Sequence, residues 1–197
     1  MKKKWLWDTT KNFLVVLALL IGSAAYSQTP DFTFGITGSL NTAVNSELKE
    51  SAPSLGTGLG ANVALVITPQ HSIKLRYDGI KFPTSSQYFT SGYEIITESK
   101  VDVFELNYTY TFKSGWFGQI GMGNLHWVNI FTQKFPPKDT RGVVASSSDV
   151  DNSAMTFGFG YQIFSKTGML QSATFEIRYI NGGPSSRIVQ TGVGFNF

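Results

Sequence analysis

The stretch VDVFELNYTYTF, Val101 to Phe112, alternates without a break. Phe104, Leu106, Tyr108, Tyr110 and Phe112 fall on one face, and Glu105, Asn107, Thr109 and Thr111 on the other. A period of two is that of a β-strand, whose successive side chains point to opposite sides. The apolar face is aromatic for most of its length, and the polar face carries an acid at mid-strand. The fold turns on which of the two faces is the inside.

The same alternation recurs along the chain. Phe32, Phe34 and Ile36 share a face, as do Ile73, Leu75 and Tyr77, and Met155, Phe157, Phe159, Tyr161 and Ile163. Phe175, Ile177 and Tyr179 repeat it, and so do Val189, Val193, Phe195 and Phe197. Eight strands are predicted, over 31–41, 58–68, 72–83, 100–112, 116–130, 153–164, 172–181 and 187–197. One of them changes phase. In WFGQIGMGNLHWVNIF (Trp116 to Phe131), Ile120 and Met122 share one parity and Leu125 and Trp127 the other. A bulge near the glycines would reconcile them.

The connections alternate in length. PQHS (69–72), KSG (113–115) and SKTGMLQ (165–171) are short, whereas 42–57, 84–99 and 131–152 are long and polar, and GGPSS (182–186) is shorter. An even strand number with short turns at one end and longer loops at the other is the layout of an outer-membrane barrel. In a soluble sandwich, the rival fold, the apolar faces would point inward. Here the polar faces mix Gly35, Gly158, Gly160, Gly192 and Gly194 with Lys74, Arg76, Glu105, Glu176 and Arg178. Glycines leave room for long charged side chains in a narrow interior, so the expected interior face is the polar one. The predicted fold is a closed eight-stranded antiparallel transmembrane barrel with periplasmic turns and extracellular loops.

The chain begins with Lys2, Lys3, Lys4 and Lys11, then FLVVLALLIG (13–22), then SAAYSQ. That is the pattern of a secretory signal peptide over residues 1–27, leaving a barrel domain over 28–197 and a mature start at Gln28. The signal accounts for the whole net charge of +3, and the remaining 12 basic and 12 acidic residues balance. Nothing in the charge then points to nucleic acid. With no cysteine there are no disulfides and no thiolate metal sites.

The pattern and the terminus VGFNF, with Val193, Phe195 and Phe197 at alternate positions, resemble the small outer-membrane barrel family that includes the OmpA transmembrane domain and OmpX. The resemblance implies an outer-membrane location, contact with outer-membrane lipid, and a C-terminal signal read by the barrel-assembly machinery. It implies little about activity.

The lumen-facing ionic set is Lys74, Arg76, Asp78, Glu105, Glu176 and Arg178, in which Arg76 or Lys74 can meet Glu105 across the ladder. Paired, these charges form a salt-bridged plug; the sharper alternative is a narrow channel for small solutes. His126 raises an enzyme reading, because lipid A deacylases of this barrel type place a serine two residues after a histidine. Position 128 is Val, so the nucleophile is missing, and a histidine at the membrane interface or in the lumen is expected instead. His71 is expected to be a solvated turn residue. SSSDVDN (146–152) offers hard oxygens from Asp149 and Asp151 but lacks the glycine and terminal glutamate of a calcium loop, and reads as a solvated polar loop. GLG (58–60) has no phosphate-cradle context. No metal and no cofactor are expected. The hairpin containing Tyr88, Phe89, Tyr93 and Ile95 is expected to continue past the membrane and to offer an edge for an extracellular protein or surface ligand.

Overall fold

The computed structural model describes residues 31–44, 55–90, 93–134, 143–165, 169–183 and 186–197. The expected signal peptide lies outside the described residues. Alternation produces strands β1 (Asp31–Ala43), β2 (Leu55–Thr68), β3 (His71–Lys81), β4 (Ser85–Tyr88), β5 (Glu94–Thr111), β6 (Trp116–Lys134), β7 (Val143–Phe164), β8 (Ser172–Asn181) and β9 (Arg187–Asn196). All pairings are antiparallel, and β3 pairs with β5 to close the ring. Eight strands make the barrel; β4 is a short extension that pairs only with the start of β5. The tight β5–β6 turn needs glycine, because Gly115 has φ +92°, where a Cβ is strained.

Register fixes the shape. From Gly38 the ladder runs through Leu59, Gly79, Asp102 and His126 to Asp151. Taken the other way round, it runs through Val193 and Phe175 to Tyr161. The two paths meet β7 ten residues apart, the stagger that strands must take to close while tilted.

The outer surface is apolar. Phe34, Phe104, Phe157, Phe159 and Phe175 are each about half exposed, and Leu106 and Ile177 lie on the same side. The inner side holds Arg76, Asp78, Glu105, Glu176 and Arg178, each 2% exposed or less. The polar face is therefore the interior of the barrel, which answers the question raised by Val101–Phe112.

Three expectations need correction. The strands run further at the long-loop end than the sequence indicates. β5 begins at Glu94, β6 ends at Lys134 and β7 begins at Val143, so most of 131–152 is strand and not loop. SSSDVDN lies inside β7 and is paired with β6. Finally, β6 has no bulge near its glycines; its register is continuous from Phe117 to Phe131 and shifts only between Phe131 and Thr132. Leu125 and Trp127 share the inward parity of Phe117 and Gln119. What changes along β6 is the polarity of the two faces, not the phase.

The same exchange is seen on β3, β5 and β7. Toward the long-loop end, Ile80, Phe82, Val101, Val103, Leu125, Trp127, Ile180 and Ile188 pack together on the inside. Lys81, Glu98, Lys100, Asn124, Asp149 and Asp151 are exposed outside. An apolar core with a polar exterior is soluble-protein polarity, stacked on a segment of opposite polarity.

Candidate functional site

The lumen holds three layers. At the short-turn end is an open polar chamber. At mid-height is a layer of charged side chains, and above it the apolar cluster.

In the charged layer, Arg76 Nε donates to Asp78 Oδ2 at 2.7 Å, and a second guanidinium nitrogen of Arg76 donates to Glu176. Arg178 Nη1 donates to Asp78 Oδ2 at 2.9 Å, and Arg178 Nη2 donates to Glu105. Neutral groups complete the layer. Gln190 Oε1 accepts from Arg178 at 2.7 Å, and Gln190 Nε2 donates to Ser39 at 3.1 Å. Gln119 donates to Glu176 at 3.3 Å, and the Thr156 hydroxyl donates to Glu105. Seven of the eight barrel strands contribute a side chain to this layer. Such charge-assisted contacts are the strong class of hydrogen bond.

Glycines make the geometry possible. A Cβ at Gly158 would lie 2.8 Å from Arg178 Cγ, and one at Gly123 would lie 2.8 Å from Glu105 Cβ. The wall is thin where the long side chains rise from it. Apart from Arg76–Asp78 within β3, the ion pairs of this layer bridge non-neighbouring strands. Arg76 and Glu105 are directly opposed in register, yet Arg76 pairs with Glu176 and Glu105 with Arg178. Inward side chains on adjacent strands run side by side, whereas those from opposite walls converge. Lys74 lies in the same column as Arg76 but makes no ion pair among the described residues.

On the outside, beyond the apolar belt, His126 Nδ1 lies 2.7 Å from Asp151 Oδ1 and 3.2 Å from Asp149 Oδ1. The donor atoms of the three residues lie within 4.8 Å of one another, close enough to share one cation. The hydrogen bond to Asp151 raises the His126 pKa above its ordinary 6.5, with the Asp149 charge adding to it and desolvation opposing. Val128, two residues on, supplies no hydroxyl, and the partners of His126 among the described residues are carboxylates.

No protein-family model and no curated protein sequence matches the chain. Solved structures do. Neisserial surface protein A superposes with a TM-score of 0.55 at 12% identity, over 86% of this chain and 98% of that one. Ail, the attachment invasion locus protein of Yersinia pestis, superposes with a TM-score of 0.52 at 11% identity, over 85% and 97%, in a complex with the heparin analogue sucrose octasulfate. Ail is described as an outer membrane protein.

The fold is that of the small outer-membrane barrels.

Within this barrel the remaining sequence-derived positions fall as follows. Val193, Phe195 and Phe197 are exposed on the outer face of the last strand and the residue after it. Tyr88 is 74% exposed on β4, Phe89 stacks on Tyr93 with ring centroids 4.7 Å apart, and Ile95 is half-buried. His71 is not simply solvated: its ring bonds the Tyr108 hydroxyl and meets Tyr110 edge-on at 5.0 Å. Sequence reasoning missed Gln190, Gln119, Thr156 and Ser39 in the lumen. Their inward parity was legible, but an uncharged polar residue on a polar face carries no mark of being a specific partner. It also missed the pairing of His126 with Asp149 and Asp151, because it placed those acids in a loop.

Proposed function

We propose that this chain is a non-enzymatic outer-membrane barrel, closed to solutes, that supports the envelope and displays its long-loop end for binding. The observation that carries this reading is a double seal. A net of ion pairs fills the mid-lumen, and a packed apolar cluster, with Phe82 and Trp127 stacked at 5.5 Å, fills it again beyond. Ions would have to cross both. Desolvating an ion costs several kcal/mol even after relaxation, and an apolar plug offers no compensating ligand. The exposed face of Phe104, Phe157 and Phe159 supports burial in outer-membrane lipid. The alternate outward side chains of Val193, Phe195 and Phe197 offer an apolar stripe of the kind barrel-assembly machinery would read.

The display surface is the sheet of β4, β5, β6 and β7 that rises past the ring. β8 pairs with β7 only from Met155 onward, so among the described residues the earlier part of β7 has no partner strand on that side. A bare edge of this kind is a template for strand addition by an extracellular protein. The acids Asp149 and Asp151 on β7 disfavour a highly sulfated saccharide such as the sucrose octasulfate held in the Ail structure.

Single-channel recording in planar bilayers tests the closed lumen. The native protein is expected to give no steps, and Arg76→Ala or Glu105→Ala to produce leak events. A steady native conductance, with ion selectivity altered by those substitutions, would favour a narrow channel instead. An unchanged lipid A mass on expression is the expected result for a barrel without catalysis.

A further inference from the structure

We propose that the lumen chamber at the short-turn end is a binding site for a small oxyanion, a carboxylate or a phosphate, anchored by Lys74. The proposal goes beyond the closed-lumen reading, which requires only that nothing passes through. The chamber has a volume of about 790 Å³, with Ser72, Lys74, Thr109, Thr111 and Thr174 among its walls. Its titratable lining is Asp31, His71, Lys74 and Lys113, an excess of positive charge.

Lys74 differs from the other lumen cations. Asp78, Glu105 and Glu176 all contact a guanidinium of Arg76 or Arg178. No carboxylate among the described residues lies within 4.0 Å of the Lys74 ammonium. Its surroundings hold polar groups in the same condition. The Thr109 hydroxyl and both amide atoms of Asn107 are buried with no hydrogen-bond partner. Asn107 stands directly opposite Lys74 across the ladder, and Thr109 opposite Ser72. Buried polar groups in folded proteins are as a rule hydrogen-bonded, and of these two residues Thr109 lines the chamber beside Lys74, so a ligand there would meet both the ammonium and an unpartnered hydroxyl.

The donor chemistry selects the class of partner. An ammonium among hydroxyls complements an oxyanion, whose hydrogen bonds to a charged donor are short and strong. A cation there would meet Lys74 with like charge, and a neutral apolar group would leave it uncompensated. Behind the chamber the charged layer closes the lumen, so the ligand enters and leaves by one mouth. The reading above places that mouth in the periplasm.

The test is an amide NMR titration of the folded protein in nanodiscs at constant ionic strength, with inorganic phosphate in one arm and acetate in the other. Saturable shifts are expected at Lys74, Asn107 and Thr109, with half-saturation at about 1–10 mM. Lys74→Gln should weaken binding about tenfold or more, and Lys81→Gln, on the outer face, should leave it unchanged. Tighter phosphate binding assigns the site to phosphates and tighter acetate binding to carboxylates. If neither probe saturates, the chamber holds water alone and the proposal fails. It fails equally if Lys74→Gln binds as well as the native chain. Should Lys74→Gln not fold, Thr109→Val replaces it, and undiminished binding in that variant overturns the proposal.

Discussion

Glu105 has 1% of its surface exposed and touches both Arg178 and the Thr156 hydroxyl. Truncating it leaves a buried guanidinium short of one counter-charge. Breaking a buried pair in this way costs roughly 3–5 kcal/mol, which sets the expected loss for Glu105→Ala in urea unfolding from bilayers. Lys74→Ala should cost clearly less, because Lys74 makes no ion pair; equal losses would show that the charged layer extends to Lys74. On the opposite surface Phe159 is 56% exposed. Phe159→Arg is expected to destabilise by about 2–4 kcal/mol if that face meets the bilayer midplane, and unchanged stability would invert the assignment of inside and outside. His126 behaves differently because it lies in water beside Asp151 and Asp149. Its folded pKa stands above the ordinary 6.5. The protonated form therefore stabilises the fold fully below 6.5, and this contribution fades as pH rises through the folded value. In buffer with a chelator, native stability should decline over that window relative to His126→Gln. A difference that grows with pH would contradict the ion pairs with Asp151 and Asp149.

At the scale of the strand, the informative feature is the exchange of polarity. On β5 the outer face runs Lys100, Asp102, Phe104, Leu106, Tyr108, and the inner face Val101, Val103, Glu105, Asn107, Thr109. The exchange falls between Asp102 and Glu105. On β6 it falls between Met122 and Leu125. On β3, β5, β6 and β7 the exterior passes from apolar to polar, so each face changes character while the backbone period stays at two. This explains what was legible in the sequence. Strand existence, the barrel and the inward column Arg76, Glu105, Glu176, Arg178 follow from alternation, which survives the exchange. The phase of β6 did not, because Leu125 and Trp127 carry the label of the outer face below them while pointing inward. The start of β7 was illegible for another reason: Ser146–Asp151 is exposed along its whole length, so no apolar residues mark a face. Two consequences can be measured. Trp127, 2% exposed and stacked on Phe82, is a core residue in the soluble sense, and Trp127→Ala should cost about 3–5 kcal/mol. Lys81 and Lys100 are directly opposed on the outer face. Like charges so placed are unfavourable, and Lys100→Glu should stabilise by about 0.2–1 kcal/mol at low salt, an effect that 1 M salt should erase.

For the whole molecule, closure and polarity exchange together divide the barrel into two stacked parts on one continuous set of strands. The lower part has an apolar exterior and a polar lumen, and the upper part has an apolar interior with a polar exterior on β3, β5, β6 and β7. The apolar cluster is therefore both the core of the upper part and the second seal on the lower. The division predicts where lipid can reach. Trp116 is 55% exposed on the outer face near the short-turn rim, whereas Trp127 is 2% exposed and inside. The two are eleven residues apart on one strand, and their odd spacing puts them on opposite faces only if β6 holds its phase. A bulge at the glycines would bring both to the same side. Brominated phospholipid quenches indole fluorescence only on contact with the acyl region. The native protein folded into such vesicles should be partly quenched. Trp116→Phe should lose most of that quenching, and Trp127→Phe should retain it. Any signal from Trp5 and Trp7 is common to both variants and cancels in the difference. Quenching lost in Trp127→Phe and kept in Trp116→Phe would put Trp127 in lipid, remove the apolar seal from the lumen, and take the double barrier with it.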